Sequence, residues 1–182
     1  MLRHAGLSLL LLTLASGLCL AQKVEVDYDH GANFAKFKTY SWAPSAAGAQ
    51  VNQLMEQRIV SAVDEELAKK GLRRVESGGD VTVSYQAAVR QETQLTTYNT
   101  GYGPGWGWGW GASGISTTNA TKIPVGTLVI DLTDPTARQL VFRAYATDTL
   151  SDKPEKNAKK LKKAIDKMFE KYPPKQQAPK VG

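Results

Sequence analysis

The sequence predicts an α+β fold: an antiparallel sheet of about five strands with two helices packed on one face. Three observations lead there. Val125–Thr147 carries two β-branched and aromatic runs around a short polar segment containing Asp134-Pro135, which reads as a hairpin. Val51–Lys70 and Asp152–Tyr172 carry apolar residues at helical spacing. Two well-separated helices among hairpin-linked strands suit a sheet covered on one side.

The mature fold is expected to start at Gln22. Arg3 and His4 precede an apolar run, Leu7–Leu14, and small residues lead up to Ala21. That is the pattern of a secretory signal peptide over 1–21, too short for a membrane span. Cys19 is the single cysteine. As a lipidation site it is a poor match, because Ser16 stands three residues before it where a lipoprotein signal usually has Leu. Ordinary cleavage after Ala21 removes it, together with any disulfide or thiolate chemistry.

Lys23–Asp29 alternates, with Val24, Val26 and Tyr28 on one side and Glu25, Asp27 and Asp29 on the other, as in a half-buried strand. His30–Asn33 punctuates it. Phe34–Phe37 reads as a helical turn or a loop anchored by two aromatics, and Lys38–Trp42 as a second strand. Ala43–Ala49 connects to the first helix, Val51–Lys70. Asn52 is placed as its N-cap, and Met55, Ile59, Val63 and Leu67 as its apolar stripe. Gly71 is placed to end it in the left-handed conformation. Asp80–Val89 alternates again, and Arg90–Thr97 extends it with Thr and Gln.

Tyr98–Gly114 is a Gly/Trp-rich segment in which Trp106, Trp108 and Trp110 alternate with glycine. Ile115–Lys122 is again Thr-rich, so the simplest picture is a long hairpin tipped by this loop. In the hairpin that follows, Pro135 suits the first central position of a type I turn. Leu128, Ile130 and Leu132 share one face, and Leu140, Phe142, Ala144 and Ala146 share the matching face, with Asp131, Arg143 and Thr147 pointing away. In the last helix Asp152, Pro154 and Glu155 form a capping-box start. Ala158, Leu161, Ile165, Met168, Phe169 and Tyr172 form its stripe. Pro173-Pro174 ends it, and 175–182 is expected to be a disordered tail. The chain from 22 to 174 is thus one domain.

Charge is unevenly placed. The chain holds 23 Lys+Arg against 17 Asp+Glu, but residues 152–180 alone hold ten lysines and four acids, leaving the rest near neutral. The basic balance belongs to one element, which with the export signal argues against nucleic acid as a partner.

Several short motifs occur in an order that resembles the bacterial envelope family named domain of unknown function 4136. They are Val26–Asp29, Asn33–Trp42, Asp80–Tyr85, Gly126–Leu132 with Leu140–Arg143, and Met168–Pro173. Phe142 and Ala144 stand where that family more often has Trp and Gly. The resemblance implies an exported protein, in many members a lipoprotein, located in the periplasm or at the outer membrane. It supplies no catalytic residues.

Candidate chemistry is sparse. His30, with Asp27 and Asp29, is the one metal-site candidate, but no second histidine remains in the mature chain, so no metal site and no cofactor is expected. A Ser-His-Asp triad would need His30, and no Gly-x-Ser-x-Gly pattern is present. No catalytic residues are assigned and the reading is non-enzymatic. The lysines of the last helix read as its solvated face. The leading binding candidates are Tyr98, Tyr102, Trp106, Trp108 and Trp110, because tryptophans isolated between glycines build no core of their own and suit membrane interfaces or protein contacts. The expected function is a binding or structural module of the cell envelope that meets a membrane surface or an envelope protein through this loop. The alternative is a soluble periplasmic carrier or enzyme with a site near Tyr28, Tyr40 and Trp42.

Overall fold

In the computed structural model, the described residues are 22–44, 51–99 and 116–174, with 98–99 and 116–117 described by backbone alone. Residues 1–21 with Cys19, residues 45–50, the glycine- and tryptophan-rich residues 100–115, and residues 175–182, expected to be a tail, lie outside them.

The order is β1 (Lys23–Tyr28), a 3-10 turn (Phe34–Lys36), β2 (Thr39–Trp42), α1 (Gln53–Lys69), β3 (Arg73–Arg74), β4 (Val81–Asn99), β5 (Ser116–Asp134), β6 (Gln139–Thr149) and α2 (Pro154–Phe169). The sheet is α+β as expected, but it has six strands, ordered β1-β6-β5-β4-β2-β3, and it is mixed. β1, β6, β5 and β4 are antiparallel neighbours. β2 runs parallel to both β4 and β3. The correction has a simple cause. α1 lies between β2 and β4 and carries the chain back along the sheet, so β4 sets out in the same direction as β2. β3, two arginines after Leu72, is too short to leave an alternation in the sequence.

The inward face of the sheet carries Val81, Val83, Leu128, Ile130, Leu132, Phe142 and Ala144, all buried. Ile59, Val63 and Leu67 of α1 and Ile165, Met168 and Phe169 of α2 join them in one core. At one end Phe34, Phe142, Phe169 and Tyr172 pack as an aromatic cluster, with Phe142 and Tyr172 edge to face at 5.1 Å. This cluster fixes the 3-10 turn and its two buried phenylalanines, Phe34 and Phe37.

Local chemistry sets the boundaries. The Asn52 side chain accepts the Met55 N–H at 2.9 Å and caps α1. Gly71 follows the helix at φ +84°. The capping box foreseen for α2 does not form: the N-cap is Lys153, without a side-chain hydrogen bond. Asn157 acts in its place. Its Oδ1 accepts the Ser151 N–H at 2.8 Å and its Nδ2 donates to the Ser151 carbonyl at 2.7 Å, clamping the entry to the helix.

In the β5–β6 connection, Asp134 Oδ1 accepts the N–H groups of Thr136 and Ala137, and Arg138 takes φ 54°. The four-residue turn is therefore built by Asp134 as much as by Pro135. The register then slips. Thr133 pairs with Leu140 and Leu132 with Phe142, which leaves Val141 as a bulge. Hence Val141 is buried, while Leu140, expected on the inward face, is 40% exposed.

Candidate functional site

Two features of the fold have the shape of a binding site: an arm and a cavity at its base.

The arm comes from the unequal lengths of the strands. β4 and β5 pair without interruption from Thr82–Thr133 to Asn99–Ser116. β6 stops at Thr149, opposite Val125, and β2 stops opposite Val83. Beyond Val89 the two strands therefore continue alone for about ten residues, roughly 34 Å at the usual rise. No described element covers either face there, so Gln91, Thr93, Gln94, Leu95, Thr96 and Thr97 are exposed. Leu95 is 67% exposed. Thr97 and Thr118 share a hydroxyl hydrogen bond at 3.1 Å across the pair. Tyr98 is placed in β4, paired in register with Thr117. Tyr102, Trp106, Trp108 and Trp110 lie outside the described residues, in the segment that joins the two strands.

The cavity lies where both helices begin. β2 and β6 each run toward the arm, so the helix that follows each one starts at that end and runs back. Between the N-terminal parts of α1 and α2, from Met55 to Ile59 and from Asn157 to Ala164, and the sheet is a cavity of about 100 Å³. Met55 and Ile59, with Leu161 and Ala164, form its helical walls; Ala87 and Leu128 form its floor. Small residues create the space. Ala87, Ala146 and Ala164 occupy positions where larger side chains elsewhere fill the layer between sheet and helices. A Cβ on Gly126 would lie 2.9 Å from Cδ2 of Leu150, so a side chain there would have to push the leucine's end aside. At the rim Lys160 Nζ pairs with Asp148 at 3.0 Å and donates to the Thr149 carbonyl at 2.6 Å. Gln22 Nε2 donates to the Lys160 carbonyl at 2.9 Å, while its Oε1 is buried with no hydrogen-bond partner among the described residues.

The second expected location, near Tyr28, Tyr40 and Trp42, is not one place. Tyr28 is on β1, at one edge of the sheet, while Tyr40 and Trp42 are on β2, with β6, β5 and β4 between. Tyr40 and Trp42 are held together by a different device. The Tyr40 hydroxyl and the Trp42 Nε1–H both donate to Asp64 Oδ1, at 2.7 and 2.9 Å, and Arg74 donates to Asp64 Oδ2 at 2.7 Å. Burial, with Asp64 second, pushes the Tyr40 hydroxyl well above its ordinary pKa. This knot fastens α1 to the β2–β3 edge and leaves its polar groups spent.

His30 is exposed and its ring sits 4.5 Å from that of Tyr28. Asp29 accepts from the Gly31 N–H and from Gln139 Nε2. Among the described residues no group of three His, Cys, Asp or Glu side chains converges. On α2, Lys162 reaches Glu65 and Asp166, and Lys160 reaches Asp148. No helix among the described residues is long and apolar enough to cross a membrane. Sequence reasoning missed the cavity and Gln22. The signal was the inward-facing small residues on neighbouring strands, Ala87, Gly126 and Ala146, which only strand register brings side by side.

Comparison with known proteins agrees with this architecture. No curated protein matches the chain. Among solved structures, a PDZ domain protein from Parabacteroides distasonis superposes with a TM-score of 0.55 at 16% identity, over 86% of this chain and 36% of that one. The chain thus spans about a third of that protein, and the likeness is one of fold. PelC from Paraburkholderia phytofirmans, solved as a dodecamer in two crystal forms, gives TM-scores of 0.46 and 0.48 at 14% identity, over 82% of this chain and 98% and 95% of those. A family model, domain of unknown function (DUF4136), matches residues 24–174, from the second residue of β1 to beyond α2, so the chain belongs to that family.

Proposed function

We propose that this is an exported, non-enzymatic protein of the bacterial cell envelope, which docks to a membrane surface or an envelope protein through Tyr98, Tyr102, Trp106, Trp108 and Trp110. The observation that carries this reading is the arm. A two-stranded extension with both faces uncovered gives the domain nothing to pack, and the most aromatic stretch of the chain is the sequence that joins its two strands. An apolar ring with an N–H suits an interface that is apolar on one side and wet on the other. Each indole that becomes buried at such a contact is worth ~1–2 kcal/mol from area alone. The sequence signals for export and periplasmic or outer-membrane location accompany this reading.

The test is fractionation of producing cells, comparing wild type with the Trp106→Ala, Trp108→Ala, Trp110→Ala triple variant. The expected result is wild type in the membrane fraction and the variant released, with the same thermal transition for both purified proteins. Equal partitioning of the two proteins would falsify the loop as the contact surface. If both stay with the membrane, Cys19 lipidation or the lysine face of α2 is the anchor.

A second reading, a periplasmic carrier of a small ligand, draws support from the cavity. Native mass spectrometry of the protein purified from its own envelope tests it: a bound mass supports the carrier, and a clean apo mass counts against it.

A further inference from the structure

We infer that the outward face of α2 docks on an anionic lipid bilayer, through a row of lysines that meets the phosphate headgroups. The inference rests on the membrane reading for its occupant. It goes past that reading by assigning a second surface, away from the loop, and the charge of the lipid.

Ile165, Met168 and Phe169 turn the apolar side of α2 to the core. Lys156, Lys159, Lys163 and Lys167 recur at spacings of three, four and four residues on the opposite side. They span about 17 Å along the axis. The first three are exposed and Lys167 is half-buried. Among the described residues none of the four is in an ion pair, whereas the lysines beside them are: Lys160 with Asp148, and Lys162 with Glu65 and Asp166. Glu155 and Glu170, exposed at the two ends of the row, leave it a net positive charge. Solubility alone does not ask for one sign of charge. α1 sets Lys69 against Glu65 and Glu66, one turn before it. Along the row of α2 like meets like. Lys156 and Lys159, Lys159 and Lys163, and Lys163 and Lys167 are neighbours on the helix surface, and each such pair opposes the helix. Lys156 also stands in the first turn, where the helix dipole repels a cation. A partner that brings negative charge to the row removes this repulsion.

The row also selects the carrier of that charge. It holds no arginine to fork a single phosphate and no exposed aromatic ring to stack on a base or a sugar. The outward side of a helix is convex and has no walls to hold a polymer strand. Flexible point charges along a straight line suit a flat array of headgroups. Each lysine at an anionic surface is worth about fivefold in affinity. The attraction fades within the screening length, about 8 Å at physiological salt. The row therefore steers and orients the domain without holding it through a wash, and release of the triple Trp→Ala variant on fractionation stays the expected result.

The test is flotation of the purified protein with two kinds of vesicle, phosphatidylcholine alone and phosphatidylcholine with about two-fifths phosphatidylglycerol, at about 0.05 M and about 0.5 M salt. It is run on wild type and on the triple Trp→Ala variant, so that the loop does not mask the row. At low salt the Trp variant should bind the anionic vesicles over the neutral ones, and high salt should release it. Adding Lys159→Gln and Lys163→Gln should weaken that binding about 25-fold, and Arg at the same two positions should keep it. Removing an equal charge beside the β2–β3 edge, by Lys38→Gln and Arg73→Gln, should change it by less than about twofold. Lys163→Gln alone should raise the thermal transition by about 1–2 °C, since it relieves two like-charge pairs. Equal binding of the Trp variant to both vesicles, binding to neither, or no effect of the two Gln substitutions would overturn the inference. So would a thermal transition lowered by Lys163→Gln, which would make the lysines part of the fold, or preference for inorganic polyphosphate over the vesicles, which would make the partner a polymer. If wild type and the Trp variant bind the anionic vesicles equally and salt releases both, the loop reading is overturned and this inference stands.

Discussion

Gly79 has an ordinary backbone conformation, yet no other residue fits its place. A Cβ there would lie 2.5 Å from Ser41 N and from the carbonyl carbon of Tyr40, backbone atoms of β2 that cannot swing aside. The Gly79→Ala variant should lose about 3 kcal/mol, the upper end for overpacking, because β2 must separate from the start of β4. Urea denaturation checks this. A variant within ~0.5 kcal/mol of wild type would mean that the β2 edge is slack. Asp64 makes a second prediction at this scale. Asp64→Ala strips the acceptor from the Tyr40 hydroxyl and the Trp42 N–H at once. The expected cost is ~2–3 kcal/mol, the penalty for leaving a buried donor unpaired. Tyr40→Phe in the Asp64→Ala background should recover part of it, since the orphaned hydroxyl is gone. A double-mutant cycle measures that coupling.

Among the elements, β4 and β5 each contain two regimes. From Val81 to Ala87 and from Leu128 to Asp134 they lie inside a six-stranded sheet under two helices. Further out they are a two-stranded ribbon with exposed side chains. A two-stranded ribbon is marginal in water, so hydrogen exchange should split each strand. Amides at 93–99 and 116–122 should exchange by local opening, and those at 82–87 and 128–132 with the global unfolding of the domain. Uniform protection along both strands would show that something covers the arm in solution. The two helices also differ in how they begin. α1 starts at a single cap, Asn52. α2 is entered through Asn157, which grips Ser151 from inside the helix. Sequence reading placed the first cap and misassigned the second, because the N-cap pattern is local and a clamp from one turn inside the helix is not.

For the whole molecule, stability should form a plateau bounded by acid and alkali. The backbone N–H groups of Lys38 and Thr39, with the Thr39 hydroxyl, hold the Asp80 carboxyl below its ordinary value. Lys36, with the N–H groups of Ala137 and Thr136, does the same for Asp134. A depressed folded value contributes stability that is complete above the unfolded value, about 3.9, and is lost as pH falls through the folded one. Burial raises the Tyr40 and Tyr172 hydroxyls. That contribution is complete below about 10, the unfolded value, and is lost as pH rises toward the folded one. Denaturation midpoints should therefore be flat near neutrality and fall at both ends. Asp80→Asn should lower the plateau and flatten the acid limb. An acid limb as steep as that of wild type would remove Asp80 from the account.

The sequence by itself determined the α+β class, both helices and their apolar faces, five of the six strands, the Asn52 cap and Gly71, and its motifs in order carried the resemblance to the family. The structural features are written in local periodicity or in a residue's own conformational preference, and both survive without knowledge of neighbours in space. Only the tertiary structure decided that β2 lies parallel to β4, that Val141 rather than Leu140 is buried in the core, that three strands separate Tyr28 from Tyr40 and Trp42, and that Ala87, Gly126, Ala146 and Ala164 meet around a cavity with Gln22 at its rim. These depend on which strand lies beside which and in what register. Pairing is a contact between residues far apart in the chain, and the residues that make it carry no sign of their partners until the chain is folded.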